Sequence, residues 1–255
     1  MEWKFDRVQA KREARAALAG AHPHVMLVTL VYHLLALVPP VAAIVLAVLS
    51  LSAEGSLTTT GWVVLALLLV VLSIYTTVAQ VGYLSYAMRL SRGENAGFWC
   101  LLEGFAQTGR VLLVTVVQFF RILPWVLPAA LVLTAGTLAQ DYLGTPGFLL
   151  MVLCQLLYIV YLMWLYLRYQ LVWFLALDNP EQGANWVISR SIEVMKGRKW
   201  TCFKLELSFL GWQLLSCLTM GILGLWVTPY LLVTMTRFYE EAAHPGQELH
   251  MPLTF

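Results

Sequence analysis

Charge is what this chain has least of: Asp, Glu, Lys and Arg make up 12% of its 255 residues, against about 25% in an ordinary soluble domain. Long polar stretches are missing too. None exceeds about 30 residues, too short for a hydrophobic core of its own, so a separate soluble domain is not expected. Only four cysteines are present, Cys100, Cys154, Cys202 and Cys217. They show no C-x-x-C spacing and fall in or beside apolar segments, which argues against a disulfide framework or a zinc site and for free thiols. Enzyme signatures are absent as well: no P-loop, no G-x-S-x-G, no H-E-x-x-H and no dinucleotide fingerprint. No catalytic residue, cofactor or metal is expected, nor a nucleic-acid partner. The first apolar run is too long for a signal-peptide core and follows residues 1–24, so no cleavable signal is expected either.

What the chain has in abundance is apolar sequence, 60% of all residues. Val25–Leu51, Trp62–Met88, Ile122–Ala139 and Phe148–Leu177 are each long enough to cross a bilayer, which takes roughly 20 helical residues. Lipid offers no partner to an open backbone amide or carbonyl, so such runs must be helices. A fifth run, Phe203–Tyr239, would be over about 50 Å long as one helix. Gly221 and Gly224 near its middle permit a turn. The reading is a hairpin, one span ending near Thr219 and another starting at Ile222; the competing reading is one tilted helix with an external C-terminus. The expected fold is therefore all-α, a polytopic transmembrane bundle of six spans with the last two as a hairpin. Residues 1–24 form a basic cytoplasmic helix, 25–239 the transmembrane domain and 240–255 a short tail.

The charges set the orientation. Lys4, Arg7, Lys11, Arg12 and Arg15 precede the first span; Ser52–Gly61 has no Lys or Arg; Arg89, Arg92 and Arg110 follow the second span; Gln140–Gly147 has none; Arg190, Lys196, Arg198, Lys199 and Lys204 follow the fourth. Under the positive-inside rule the N-terminus is cytoplasmic, and the hairpin returns the C-terminus to the same side.

Few residues carry chemistry. Glu2–Ala19 reads as a helix on which Lys4, Arg7, Lys11 and Arg15 form a basic stripe beside Trp3, Ala10, Ala14 and Ala17. Such a stripe suits the anionic inner leaflet, or serves only as a topology signal. Arg121 and Arg168 stand in apolar surroundings, where they can hold an anionic head group or an acidic substrate, or snorkel to the surface. His33, Gln80, Gln118 and Gln155 read as helix–helix hydrogen-bond partners. Pro39, Pro40, Pro124 and Pro128 remove backbone donors inside spans. Trp62, Tyr86, Trp99 and Trp173 fit interfacial anchors.

The C-terminal third carries a resemblance. Asp178-Asn179-Pro180, Ser189-Arg190-Ser191, Met195-Lys196-Gly197, Lys199-Trp200, Leu207–Trp212, Thr219–Ile222, Leu225-Trp226, Pro229-Tyr230 and Phe238-Tyr239 occur in that order. Arg92-Gly93-Glu94, Gly104-Phe105 and Arg168-Tyr169 agree with it. This series resembles the bacterial integral-membrane family catalogued as domain of unknown function 975. Where that family has a Pro-Gly hinge before the Arg-Tyr pair, this chain has Tyr161-Leu162-Met163. The resemblance implies a polytopic bundle in a bacterial cell membrane and supplies no catalytic residue.

The function expected from these features is a non-enzymatic accessory or scaffold component of a bacterial membrane complex such as an exporter, with a membrane-protein partner. The alternative is a lipid-binding protein or a transporter of lipid or small solutes, with a cleft drawn from Arg121, Arg168, Lys199, Glu206 and Trp212 and anionic head groups as ligands. A membrane-embedded enzyme would need a constellation such as Glu206 with His33.

Overall fold

In the computed structural model, which describes residues 5–53, 59–94 and 96–244, every regular element is an α-helix. In chain order these are α1 (Arg7–Ala19), α2 (Val25–Ala53), α3 (Thr59–Ser91), α4 (Trp99–Ala106), α5 (Thr108–Leu143) and α6 (Thr145–Tyr169). Then follow α7 (Val172–Asp178), α8 (Ala184–Val194), α9 (Lys199–Leu207), α10 (Leu210–Leu218) and α11 (Gly224–Ala243). Among the described residues four segments are long and apolar enough to cross a membrane: Val25–Leu49, Thr60–Ser91, Thr108–Gln140 and Thr145–Asp178. Their flanks are bare: Leu34, Leu46, Leu67, Val71, Leu131, Leu149 and Val160 are all exposed. So much uncovered apolar surface is unfavourable in water and costs nothing against lipid tails. These helices mark the chain as a membrane protein.

The last apolar stretch is where the structure departs from the six-span expectation. Phe203–Tyr239 is divided among three helices, none of them among the four candidate spans. α10 has nine residues, about 13 Å of helix where the hydrocarbon core needs about 30 Å. α11 has twenty residues, but its last two turns carry Arg237, Glu240 and Glu241. The break before α10 has a local cause, since the Ser208 hydroxyl donates to the Leu205 carbonyl and competes with the helix ladder there.

Other boundaries shift for equally local reasons. The carboxylate of Asp6 accepts from Val8 N and Gln9 N at 2.8 and 3.2 Å, so α1 begins at Arg7, and Phe5 and Asp6 precede the helix. The connection expected over Gln140–Gly147 is absorbed into helices. Only Gly144 separates α5 from α6, with φ at +61°, where glycine alone is unstrained. Ser52–Gly61 lies partly, and Lys4, Trp3 and the tail from residue 245 lie wholly, outside the described residues. α11 continues through Glu240 to Ala243.

The chain forms two compact units, Met1–Leu112 with Leu205–Phe255, and Leu113–Lys204. The first is built around the end of α3. Val81 through Met88 are buried on every side of the helix, with α1, α2, α4 and α11 packed around it. α4 can lie this close because of two glycines. A Cβ on Gly82 would sit 2.2 Å from the Leu101 carbonyl oxygen, and one on Gly104 would sit 2.1 Å from that of Val78. α2 is tied to α3 through tyrosines: Tyr83 and Thr29 share a hydroxyl hydrogen bond of 2.9 Å, Tyr75 donates to the Leu35 carbonyl, and Tyr32 stacks on Tyr83 at 4.1 Å. Tyr86 is in this core rather than at an interface.

In the second unit α5 and α6 pack closely at their shared end. A Cβ on Gly147 would meet the Ala139 carbonyl oxygen at 2.1 Å, and one on Gly136 would meet Cys154 Sγ at 3.1 Å. Tyr161, standing where the family hinge would be, donates to the Trp125 carbonyl at 3.0 Å and ties α6 to α5. Val187, Ile188 and Ser191 form the buried face of α8, which packs against α6 and α7.

Candidate functional site

Two polar clusters stand out, one in each unit. In the first unit α1 lays Ala10, Ala14 and Leu18 inward, and Phe5 meets Phe238 edge to face at 5.2 Å. That packing brings Glu13 to Arg237 of α11, Oε2 to Nε at 3.6 Å. Arg237 also reaches Glu240 at 3.4 Å and donates to the Ser91 carbonyl at the end of α3. Glu240 in turn accepts from Arg92 Nε at 3.1 Å. Gly93, at φ +72°, ends α3 and lets Arg92 turn into this network. A second pair, Arg89 and Glu103 at 2.7 Å, joins α3 to α4, with the Ser85 hydroxyl on the other carboxylate oxygen. The Arg237 and Glu240 side chains are only 3% and 5% exposed, and in such surroundings removing one partner strands a buried charge. This cluster is balanced and joins helices.

The basic stripe of α1 is engaged in the same unit. Lys11 Nζ lies 4.3 Å from the centre of the Phe209 ring and 3.5 Å from the Ser208 carbonyl oxygen. Burial, then the neighbouring Arg7 and Arg15, push its ammonium below the usual lysine range. Arg15 Nε donates to the Tyr230 hydroxyl at 3.0 Å.

The second unit gathers cations differently. Arg121 of α5 donates to the Ser189 hydroxyl of α8 at 2.8 Å. One helical turn further along α5, Trp125 carries the Arg168 guanidinium over its ring at 5.1 Å. Arg168 also lies 5.7 Å from the Trp164 ring and 5.9 Å from that of Tyr169, and its Nε is buried without a hydrogen-bond acceptor. Lys199, at the start of α9, places Nζ 3.8 Å from the same Trp164 ring. Burial, then the adjacent Arg168, lowers its pKa. The Ser191 hydroxyl contacts the Arg168 carbonyl oxygen at 3.4 Å. Both serines of the Ser189-Arg190-Ser191 motif therefore hold the arginine-bearing helices, while Arg190 points outward to Glu193. Among the described residues no carboxylate lies within ion-pair distance of Arg121, Arg168 or Lys199. A cation set on aromatic faces without a counter-charge is suited to an anion, and phosphate or carboxylate oxygens would find guanidinium donors there.

Of the residues singled out from sequence, Arg121, Arg168 and Lys199 thus fall in one unit around Trp125 and Trp164. Glu206, half-buried near the end of α9, and Trp212, exposed on α10, belong to the other unit. His33 turns to the Thr29 carbonyl of its own helix, and Gln80 and Gln155 are exposed. Sequence reasoning passed over Trp125, Trp164, Glu13 and Glu240. For Trp125 the available signal was its spacing of four from Arg121, one turn of helix. Among the described residues no three His, Cys, Asp or Glu side chains assemble as a metal site would need, and all four cysteines are free.

Fold and clusters together define an all-helical integral-membrane protein. More narrowly, the chain belongs to the family described as Protein of unknown function (DUF975), which matches residues 101–244, more than half its length. No curated protein and no solved structure matches it.

Proposed function

We propose that this is a non-enzymatic integral-membrane protein that binds anionic phospholipid head groups through Arg121, Arg168 and Lys199. The observation that carries the reading is the shared platform. Arg168 and Lys199 face one indole ring, Trp164, with no carboxylate beside them among the described residues. Two cations held this close repel one another, and a phosphate between them relieves the repulsion. Trp125, Trp164 and Tyr169 supply apolar walls, and the bare flanks of α5 and α6 offer room for acyl chains. The positive-inside rule places the cluster at the cytoplasmic leaflet, where anionic lipids are met. This reading is preferred to an accessory or scaffold role because the cation cluster names a ligand chemistry, while nothing on the described surface names a protein partner.

The test is native mass spectrometry of the protein released from vesicles of phosphatidylglycerol and phosphatidylcholine. The wild type is expected to keep phosphatidylglycerol. The Arg121→Gln, Arg168→Gln double variant is expected to lose it, and Arg190→Gln, which removes an equally basic but outward side chain, to retain it. Equal retention by the double variant, or a stoichiometric protein companion from native membranes in place of lipid, would return the weight to the accessory reading.

A further inference from the structure

We propose that α10 and the first half of α11 form a re-entrant hairpin, inserted into one leaflet from the face that carries α1 and turning back near the middle of the bilayer without crossing it. Four observations in the first unit carry this.

The base of the hairpin is fixed at a polar level. Its two legs leave α1 at Phe209 and Tyr230, whose rings meet edge to face at 5.0 Å. Lys11 lies over the first ring and Arg15 over the second. Two cations on one short helix hold that level at the water interface, because charge in the hydrocarbon is strongly disfavoured.

The legs are short. Nine residues separate Phe209 from Thr219, and the return from Gly221 to Tyr230 is of similar length. Each leg rises about 13 Å, less than half of the roughly 30 Å hydrocarbon core. A tip that reached the far surface would need about twice as many residues per leg.

The tip closes its backbone amides internally. Every amide from Thr219 to Val227 has an acceptor inside the hairpin. Gly221 N reaches the Ser216 carbonyl at 2.8 Å, Gly224 N reaches that of Gly221 at 2.9 Å, and Leu223 N is met by the Thr219 hydroxyl oxygen at 3.3 Å. Met220 and Gly221 both adopt left-handed backbone, at φ 52° and 87°, which makes so tight a reversal possible. The legs lie close enough that a Cβ on Gly224 would stand 2.9 Å from Ser216 Oγ. A turn in water has no need of such closure; a turn in hydrocarbon requires it.

The tip is also apolar and uncovered. Leu218, Met220 and Ile222 are 81%, 94% and 73% exposed, and no residue of α10 is buried. The one long polar side chain of α10, Gln213, lies a single turn above the base. The occupant that satisfies such a surface is the acyl-chain region of a leaflet, the same medium that meets the bare flanks of α2 and α3.

The experiment uses full-length protein in sealed right-side-out and inverted vesicles. The four native cysteines, Cys100, Cys154, Cys202 and the exposed Cys217 near the tip, are replaced by Ser, and single cysteines are placed by Met220→Cys or Ile222→Cys. Thr145→Cys at the α5–α6 connection and Lys196→Cys after α8 report the two faces. A membrane-impermeant maleimide is expected to label Thr145→Cys from one side, Lys196→Cys from the other, and both tip cysteines from neither side until detergent is added. A fluorophore on the tip cysteine is expected to be quenched more strongly by a nitroxide deep in the lipid chain than by one near the head group. Tip labelling from the Thr145 side would overturn the proposal in favour of a full crossing. Labelling from the Lys196 side would overturn it by placing the hairpin in water.

Discussion

Arg237 and Arg168 present the same guanidinium in opposite settings. Arg237 is enclosed by Glu13, Glu240 and the Ser91 carbonyl, and its carboxylate partner Glu240 is shared with Arg92. Arg168 is enclosed by the rings of Trp125, Trp164 and Tyr169, with a lysine for a neighbour. The first arginine has its counter-charge supplied by the fold. The second has a setting that tolerates a cation without neutralising it, since a ring face contributes only about 0.5–2 kcal/mol toward it. Where the protein supplies the carboxylate, the cation is a joint between helices; where none lies beside it among the described residues, the charge is cushioned by ring faces and not neutralised.

The contrast can be broken most sharply at the joint. Arg237→Ala takes one ion-pair partner from the buried Glu240, and the first unit is expected to lose about 3–5 kcal/mol, read as a lower thermal midpoint in detergent and faster proteolysis within α1. Arg168→Gln is expected to cost less, about 0.5–2 kcal/mol, by the same measurement. Equal losses would erase the distinction between the two clusters. Next in size is Gly82→Val. Its Cβ would collide with the Leu101 backbone, pushing α4 and its Glu103 away from Arg89 at a cost of about 1–3 kcal/mol or more, with the separation visible in a cross-link between α3 and α4. Smaller still is a change at Lys199. Its pKa is lowered by burial and by Arg168, so an anion bound between them is expected to raise it, seen as a shifted titration of the isotope-labelled lysine on adding phosphatidylglycerol.

Smallest is Glu241. Its carboxyl is raised above the usual range by burial, then by Glu13 and Asp6. A carboxyl with a raised folded pKa contributes stability below its unfolded pKa and loses it as pH rises through the folded value. Glu241→Gln is therefore expected to raise the midpoint slightly at neutral pH and to flatten the decline of stability as pH rises above the ordinary carboxylate range.

The four long spans were legible because a charge-free apolar run leaves little freedom: α2 begins at Val25, where the apolar run begins. The last stretch was harder to read. Apolarity says that a segment avoids water but not how far it travels before turning, and the stops at Ser208 and Thr219–Gly221 are side-chain and backbone details inside an otherwise uniform run. Arg121, Arg168 and Lys199 could be nominated by their rarity, and the structure groups them around two tryptophans. Pairings that set the roles of other charges were invisible for a different reason. Arg92 and Glu240 lie 148 residues apart, and Arg237, which lies within the last apolar run, is a core residue because α1 and α3 fold against it. Arg168 and Trp125 meet only because α5 doubles back into α6.

That doubling back, through Gly144 alone, bears on how the protein is made. A nascent hairpin with a one-residue connection has only Gln140, Asp141 and Thr145 as hydrophilic side chains to carry over the barrier, and α5 and α6 can partition into lipid as a single event. It also leaves the side of the membrane at that connection with little for an antibody, a protease or a soluble receptor to grasp there.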